Sequence, residues 1–222
     1  MHPDVPEAAG VDPGGPILLE SYMRRAIFID RDGVICRNRN DHVKSWEEFV
    51  FLPGVLEAMA RLAHSDLSIV VITNQAIINR GIVSAEVVED INARMVRAVE
   101  AAGGRVDRVV YCPHRPDEHC GCRKPQPGML LKAAYDLRLD LSRSYFVGDA
   151  EADMLAGRAV GCRRYLVLTG RGRQQLIRCW LHGERGFTVL PSLGAVANSI
   201  LRRESRLRWR LARLALGGGT GR

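Results

Sequence analysis

No stretch of this 222-residue chain reaches the roughly 20 consecutive apolar residues that a membrane-spanning helix requires. The N-terminus is acidic, rich in proline and glycine, and lacks the pattern of a secretory signal, so a cytoplasmic protein is expected. No segment repeats at a fixed period, which excludes a solenoid or propeller. The body also lacks an excess of either charge. Net charge is +7, yet residues 201–222 hold seven arginines against one glutamate, or +6, leaving +1 for all that precedes them. The basicity therefore belongs to a tail, and nucleic acid is not an expected partner. A disulfide framework is missing too. Of six cysteines, Cys112, Cys120 and Cys122 crowd together while Cys36, Cys162 and Cys179 stand alone, which favours metal over disulfides.

What is present is a globular composition, 46% hydrophobic and 26% charged, in a chain long enough to bury one core. Residues 1–24 have four prolines and no periodicity and are expected to be a disordered leader. Residues 25–204 should form the domain and 205–222 a basic tail; Leu201 to Leu216 could form an amphipathic helix docking on the body or a second subunit. Apolar, β-branched runs begin near residues 26, 68, 106, 144, 164 and 187. Helical patterns follow Pro53-Gly54, Ser84, Gly128 and Ala152, with another after the last strand. This alternation predicts an α/β fold: a mostly parallel sheet in a three-layer α/β/α sandwich. Residues 36–53 are polar with scattered aromatics and read as a flap over the end of the first strand.

The chemistry collects at strand ends. Asp30 and Asp32 end the first strand, Thr73 and Asn74 the second, and Asp149 the fourth, while Lys124 lies just beyond the third. Each alone is more simply a turn or cap residue. Together, on the carboxyl edge of a parallel sheet, they are a site. Converging carboxylates need a cation among them, and oxygen ligands with open positions suit Mg²⁺. A lysine and a hydroxyl beside it match the oxygens of a phosphoryl group. A carboxylate can then attack phosphorus itself, so the pattern points to phosphoryl transfer through an aspartyl-phosphate.

Asp30-Arg31-Asp32-Gly33, Thr73-Asn74-Gln75, Lys124-Pro125 and Gly148-Asp149 with Asp153 resemble the four motifs of the haloacid dehalogenase (HAD) superfamily of phosphatases. That resemblance implies a HAD-like Rossmannoid domain. Asp30 would be the nucleophile and Asp32 the general acid/base, with Thr73 and Lys124 holding the phosphoryl group. Mg²⁺ would sit on Asp30, Asp149 and the Asp32 backbone carbonyl, with Asp153 bracing the last motif.

Cys112, His114, Cys120 and Cys122 have the ligand types of a closed Cys₃His zinc site, hence a structural Zn²⁺, with His119 as a rival ligand. The gaps between strands are too short for a large cap domain. This loop with Cys122-Arg123-Lys124-Pro125 resembles the heptose-bisphosphate phosphatase and histidinol-phosphatase group. Pro127 to Leu130 and Leu168 to Gly172 are similar to the heptose branch, while the interval from His114 to Cys120 also occurs in the histidinol branch. The resemblance implies a phosphorylated sugar as substrate, Arg123 on its distal phosphate, and Asn38, Asp41, Asn74 and Gln75 around it. A monomer or weak homodimer is expected. Ala76 and Ile77 replace a serine and glycine usual in the family, and Ala150 replaces a common basic residue. A catalytically inactive, zinc-stabilised binding module is the non-enzyme alternative, and the intact acids argue against it.

Overall fold

The computed structural model describes residues 23–217; the expected leader at 1–24 lies almost wholly outside them. Six strands form one sheet: β1 (Ala26–Ile29), β2 (Ser68–Asn74), β3 (Arg108–Cys112), β4 (Tyr145–Gly148), β5 (Arg163–Val167) and β6 (Phe187–Leu190). Their order is β3-β2-β1-β4-β5-β6, and every pairing is parallel. Among the described residues the six α-helices are α1 (Val55–Ala63), α2 (Ala85–Ala101), α3 (Gly128–Leu137), α4 (Glu151–Ala159), α5 (Gly172–Leu181) and α6 (Leu193–Gly217).

Alternation along each strand explains the layers. Ile27 and Ile29 of β1 pack into one core with Met59 and Leu62 of α1, Met95 and Val99 of α2, and Val196 and Ile200 of α6. Ala26 and Phe28, pointing the other way, pack with Met129, Leu130 and Ala133 of α3 and Ala156 of α4. Both faces of the sheet are thus covered, which is why its strands read as continuous apolar runs. Chain order reverses between β1 and β4, and that switch point is where open parallel sheets bind ligands.

One element, α5, is not expected from the sequence. Residues 172–181 form α5, although their apolar positions are sparse; only Gly172 and Cys179 are buried. Helix α3 stops at Leu137 because Arg138 turns left-handed at φ 52°. Helix α6 runs unbroken through residue 205, so the basic stretch continues the last helix of the body. Its attachment is built from charge as well as apolar packing. Glu204, buried, takes both guanidinium nitrogens of Arg25 (3.0 and 2.7 Å) and the Tyr145 hydroxyl (2.5 Å). Trp209 is exposed, and the side chains of Leu211 and Leu214 lie outside those described. Among the described residues no helix is long and apolar enough to cross a membrane.

Candidate active site and metal loop

Strand β1 delivers Asp30 to the switch point, where its backbone N–H donates to Val147 O of β4 at 2.9 Å. The side chain is buried, and Oδ1 accepts from Lys124 Nζ at 2.6 Å. Lys124 is buried as well. Its ammonium also meets Asp153 Oδ1 at 2.6 Å and donates to Ile72 O at 3.1 Å. Burial lowers the lysine's proton affinity, but Asp153 and Asp30 outweigh it and hold the pKa above the ordinary value. Lys124 is therefore a fixed positive charge.

The carboxylates show what that charge leaves unbalanced. Burial pushes Asp30 well above the usual carboxylate range; Lys124 opposes the shift, while Asp153, Asp149 and Asp32 add to it. Asp149 is fully buried and pushed up to about 6, chiefly by burial and then by Asp153. Its Oδ2 accepts from Arg171 N at 2.7 Å, but Oδ1 is buried with no partner among the described residues. Carboxylate oxygens of Asp30, Asp149 and Asp153 lie within 4.8 Å of one another. An orphaned buried oxygen among three acids and one lysine fits a divalent cation with hard oxygen ligands. Asp153 belongs to this cluster as well as bracing the last motif, where its Oδ2 accepts from Ala150 N at 3.0 Å.

Two glycines make the close approach possible. Gly33 (φ +92°) and Gly170 (φ +55°) have left-handed backbone, and a Cβ on either would fall 2.1 or 2.3 Å from Asp149 Oδ2. Strand ends thus converge on Asp149 with no side chain between them.

Asp32 has a different environment. Its carboxylate accepts from Arg31 Nε (3.2 Å), Gln75 Nε2 (2.9 Å) and Thr73 Oγ1 (3.3 Å). Burial would raise its pKa, but the charge of Arg31 and hydrogen bonds from Arg31, Gln75 and Cys36 prevail and lower it. Arg31 is the residue that the sequence reading left without a role. It is 1% exposed, is fixed by Asn92 Oδ1 of α2 at 3.0 Å, and lies over the Phe49 ring. A charge inside a motif that ends a buried strand must have a partner, and that was the available signal.

The substrate-facing candidates divide. Gln75 is buried, and Nε2 bonds both Asp32 and Thr73 Oγ1 (2.7 Å). Asn74 grips the backbone of Lys124 with both ends of its amide, Oδ1 from Lys124 N and Nδ2 to Lys124 O, each 3.1 Å. That amide fixes the backbone of the lysine. Asn74→Ala is expected to lower kcat by about 10- to 100-fold through loss of that positioning, with KM changing less, as steady-state kinetics will report. Asn38 is half-buried on the flap, and Asp41 is exposed, engaged by Arg39 (3.1 Å) and Lys44 (2.5 Å). The flap packs through Trp46, Phe49 and Phe51, and His42 Nε2 meets Arg80 Nη1 at 3.3 Å. Ala76 and Ile77, the family departures, are both buried.

Beyond β3, Cys112, His114, Cys120 and Cys122 bring their donor atoms within 4.8 Å of one another. Neighbouring donors are 3.2 to 3.6 Å apart, with His114 Nδ1 facing the sulfurs and no disulfide formed. His119 is not in the set. Four soft or borderline donors in a closed cluster fit a tetrahedral ion with no open position. The loop leads directly into the buried acid–lysine cluster. Arg123 N donates to Cys120 Sγ at 3.3 Å, its guanidinium donates to His114 O at 3.1 Å, and Lys124 follows directly.

Comparison with known proteins agrees with this geometry. Residues 121–196 match the HAD-hydrolase-like family model. The chain is 40% identical over 178 residues to D-glycero-β-D-manno-heptose-1,7-bisphosphate 7-phosphatase of Pseudomonas aeruginosa, covering 80% of this chain and 98% of that protein. The Bordetella bronchiseptica enzyme of the same name is likewise 40% identical over 177 residues, with the same coverage. A crystal structure of D,D-heptose 1,7-bisphosphate phosphatase from B. bronchiseptica, complexed with magnesium and phosphate, superposes with a TM-score of 0.77 at 40% identity, covering 81% of this chain and 99% of that one. The Burkholderia thailandensis structure gives 0.63 at 35% identity, covering 80% and 99%.

Proposed function

The chain belongs to the HAD-like family of heptose-1,7-bisphosphate 7-phosphatases, and from that membership and its site we propose that it is a magnesium-dependent phosphatase removing the 7-phosphate of D-glycero-β-D-manno-heptose 1,7-bisphosphate. The observation that carries the reading is the pairing of Asp30 with Lys124 beside the Asp149–Asp153 acids at the switch point.

Asp30 Oδ attacks phosphorus, the P–O bond to the sugar breaks, and Asp32 gives its proton to the departing alkoxide. Asp32 is ionised in the resting site. The incoming phosphate dianion beside it raises its proton affinity, so it arrives at the transition state as an acid. Water then attacks the aspartyl-phosphate, Asp32 takes the water's proton, and inorganic phosphate leaves with Asp30 restored. Lys124 and Thr73 hold the equatorial oxygens of the transferring group. Asp30, Asp149 and the Asp32 carbonyl would hold Mg²⁺, with Asp153 adjoining. The cation supplies the charge that lets Asp30 stay ionised despite its burial and draws charge from the phosphoryl oxygens.

Zn²⁺ in the Cys112–His114–Cys120–Cys122 cluster is the structural cofactor of this reading, pinning the loop that carries Arg123 and Lys124. Arg123 would meet the distal phosphate, with the flap around Asn38 and Asp41 over the sugar. Unpaired cysteines suit a reducing cytoplasm. All proposed catalytic residues come from one chain, so a monomer suffices. With β-heptose bisphosphate, its α anomer and histidinol phosphate compared side by side, kcat/KM is expected to be highest for the β-heptose bisphosphate. Preference for histidinol phosphate would overturn the substrate assignment and leave the chemistry standing.

A further inference from the structure

The opposite edge of the sheet, where the strands begin, carries a feature that catalysis does not use. A groove runs between the starts of β4, β5 and β6 and helix α6. It consists of two adjoining clefts of about 500 and 710 Å³ that share Arg163, Thr188, Arg203 and Leu207. Arginines dominate its walls. Arg25 and Arg164 are held by the buried Glu204 and Glu184. Among the described residues, Arg163, Arg202, Arg203 and Arg206 have no carboxylate partner, and all four are exposed.

Four like charges around one concavity repel each other unless an anion sits among them. Guanidinium forks match phosphate oxygens in pairs, and Thr188 and Ser199 add hydroxyl donors. The shape narrows the ligand. A concave, polar groove does not present the apolar face that lies on a membrane. The aromatic residues in its walls, Tyr145 and Tyr165, are only 3% and 2% exposed, so no ring face is open for base stacking along a single strand. A compact, multiply charged anion fits.

We propose that this groove binds an oligophosphate, two or more linked phosphoryl groups, either free or as the tail of a nucleotide. Strand β5 separates it from the catalytic edge by about 15 Å, so its ligand does not compete with substrate.

The test is calorimetric titration of the full-length protein with tripolyphosphate, in magnesium-free buffer at low ionic strength. Wild type is compared with Arg163→Ser/Arg203→Ser and with Arg202→Ser/Arg206→Ser. Any binding at the catalytic edge is common to all three proteins. Each double variant is expected to bind about tenfold or more weakly, with wild-type affinity falling steeply as salt is added and kcat/KM unchanged. Equal affinity in wild type and both variants, or no binding by wild type, would overturn the proposal. ATP in a parallel titration identifies the source: tighter binding than tripolyphosphate points to a nucleotide, and equal binding to free polyphosphate.

Discussion

Asp30→Asn is expected to reduce phosphate release from heptose bisphosphate by about 10⁵-fold or more, because every later step depends on the bond that Asp30 forms to phosphorus. Asparagine keeps the size and an acceptor for Lys124 Nζ, so the 2.6 Å contact has a neutral replacement. It also removes one of three acids gathered within 4.8 Å. Like charges at that spacing oppose folding of the metal-free protein. Thermal unfolding of the variant without magnesium is therefore expected at or above the wild-type temperature. Lost activity with undiminished stability separates a missing nucleophile from a damaged fold.

The second large effect is expected at the metal loop. Wild type should retain about one equivalent of zinc through dialysis, and Cys120→Ser should lose it. Without the ion, Cys112, Cys120, Cys122 and His114 have no reason to remain within 3.2 to 3.6 Å of their neighbours. The loop then releases the Cys120 contact to Arg123 N, and Lys124 loses its footing. Losing a structural metal is expected to lower the unfolding temperature by roughly 10 °C. Misplacing the lysine is expected to lower kcat/KM by about 100-fold. Elemental analysis, calorimetry and kinetics on one preparation measure all three. A folded wild type that binds no zinc would refute the structural role.

Much of this was legible in the residues because the carboxyl edge of a parallel sheet is written directly into the chain. The apolar runs of β1, β2 and β4 stop at polar residues, and those residues meet at the candidate site. The Cys112–His114–Cys120–Cys122 cluster was readable for the same reason, since its members are close in sequence. Partners brought from far away were not legible. Nothing near Arg31 announces Asn92, sixty-one residues later on another helix, and nothing near Asn74 announces that its amide holds the Lys124 backbone. Helix α5 escaped because it buries few apolar side chains. Glu204, the anchor of α6, looks in sequence like one more surface acid, and nothing near it announces Arg25 or Tyr145.

The central claim is that the phosphoryl group passes through Asp30. The direct measurement is to mix excess enzyme with heptose bisphosphate and magnesium, quench in acid within a single turnover, and reduce with borohydride before peptide mass spectrometry. An aspartyl-phosphate is converted to homoserine by this treatment, and the account predicts homoserine at residue 30 alone, with none in substrate-free controls. Full phosphate release with residue 30 recovered only as aspartate, or the label on another acid, would contradict it.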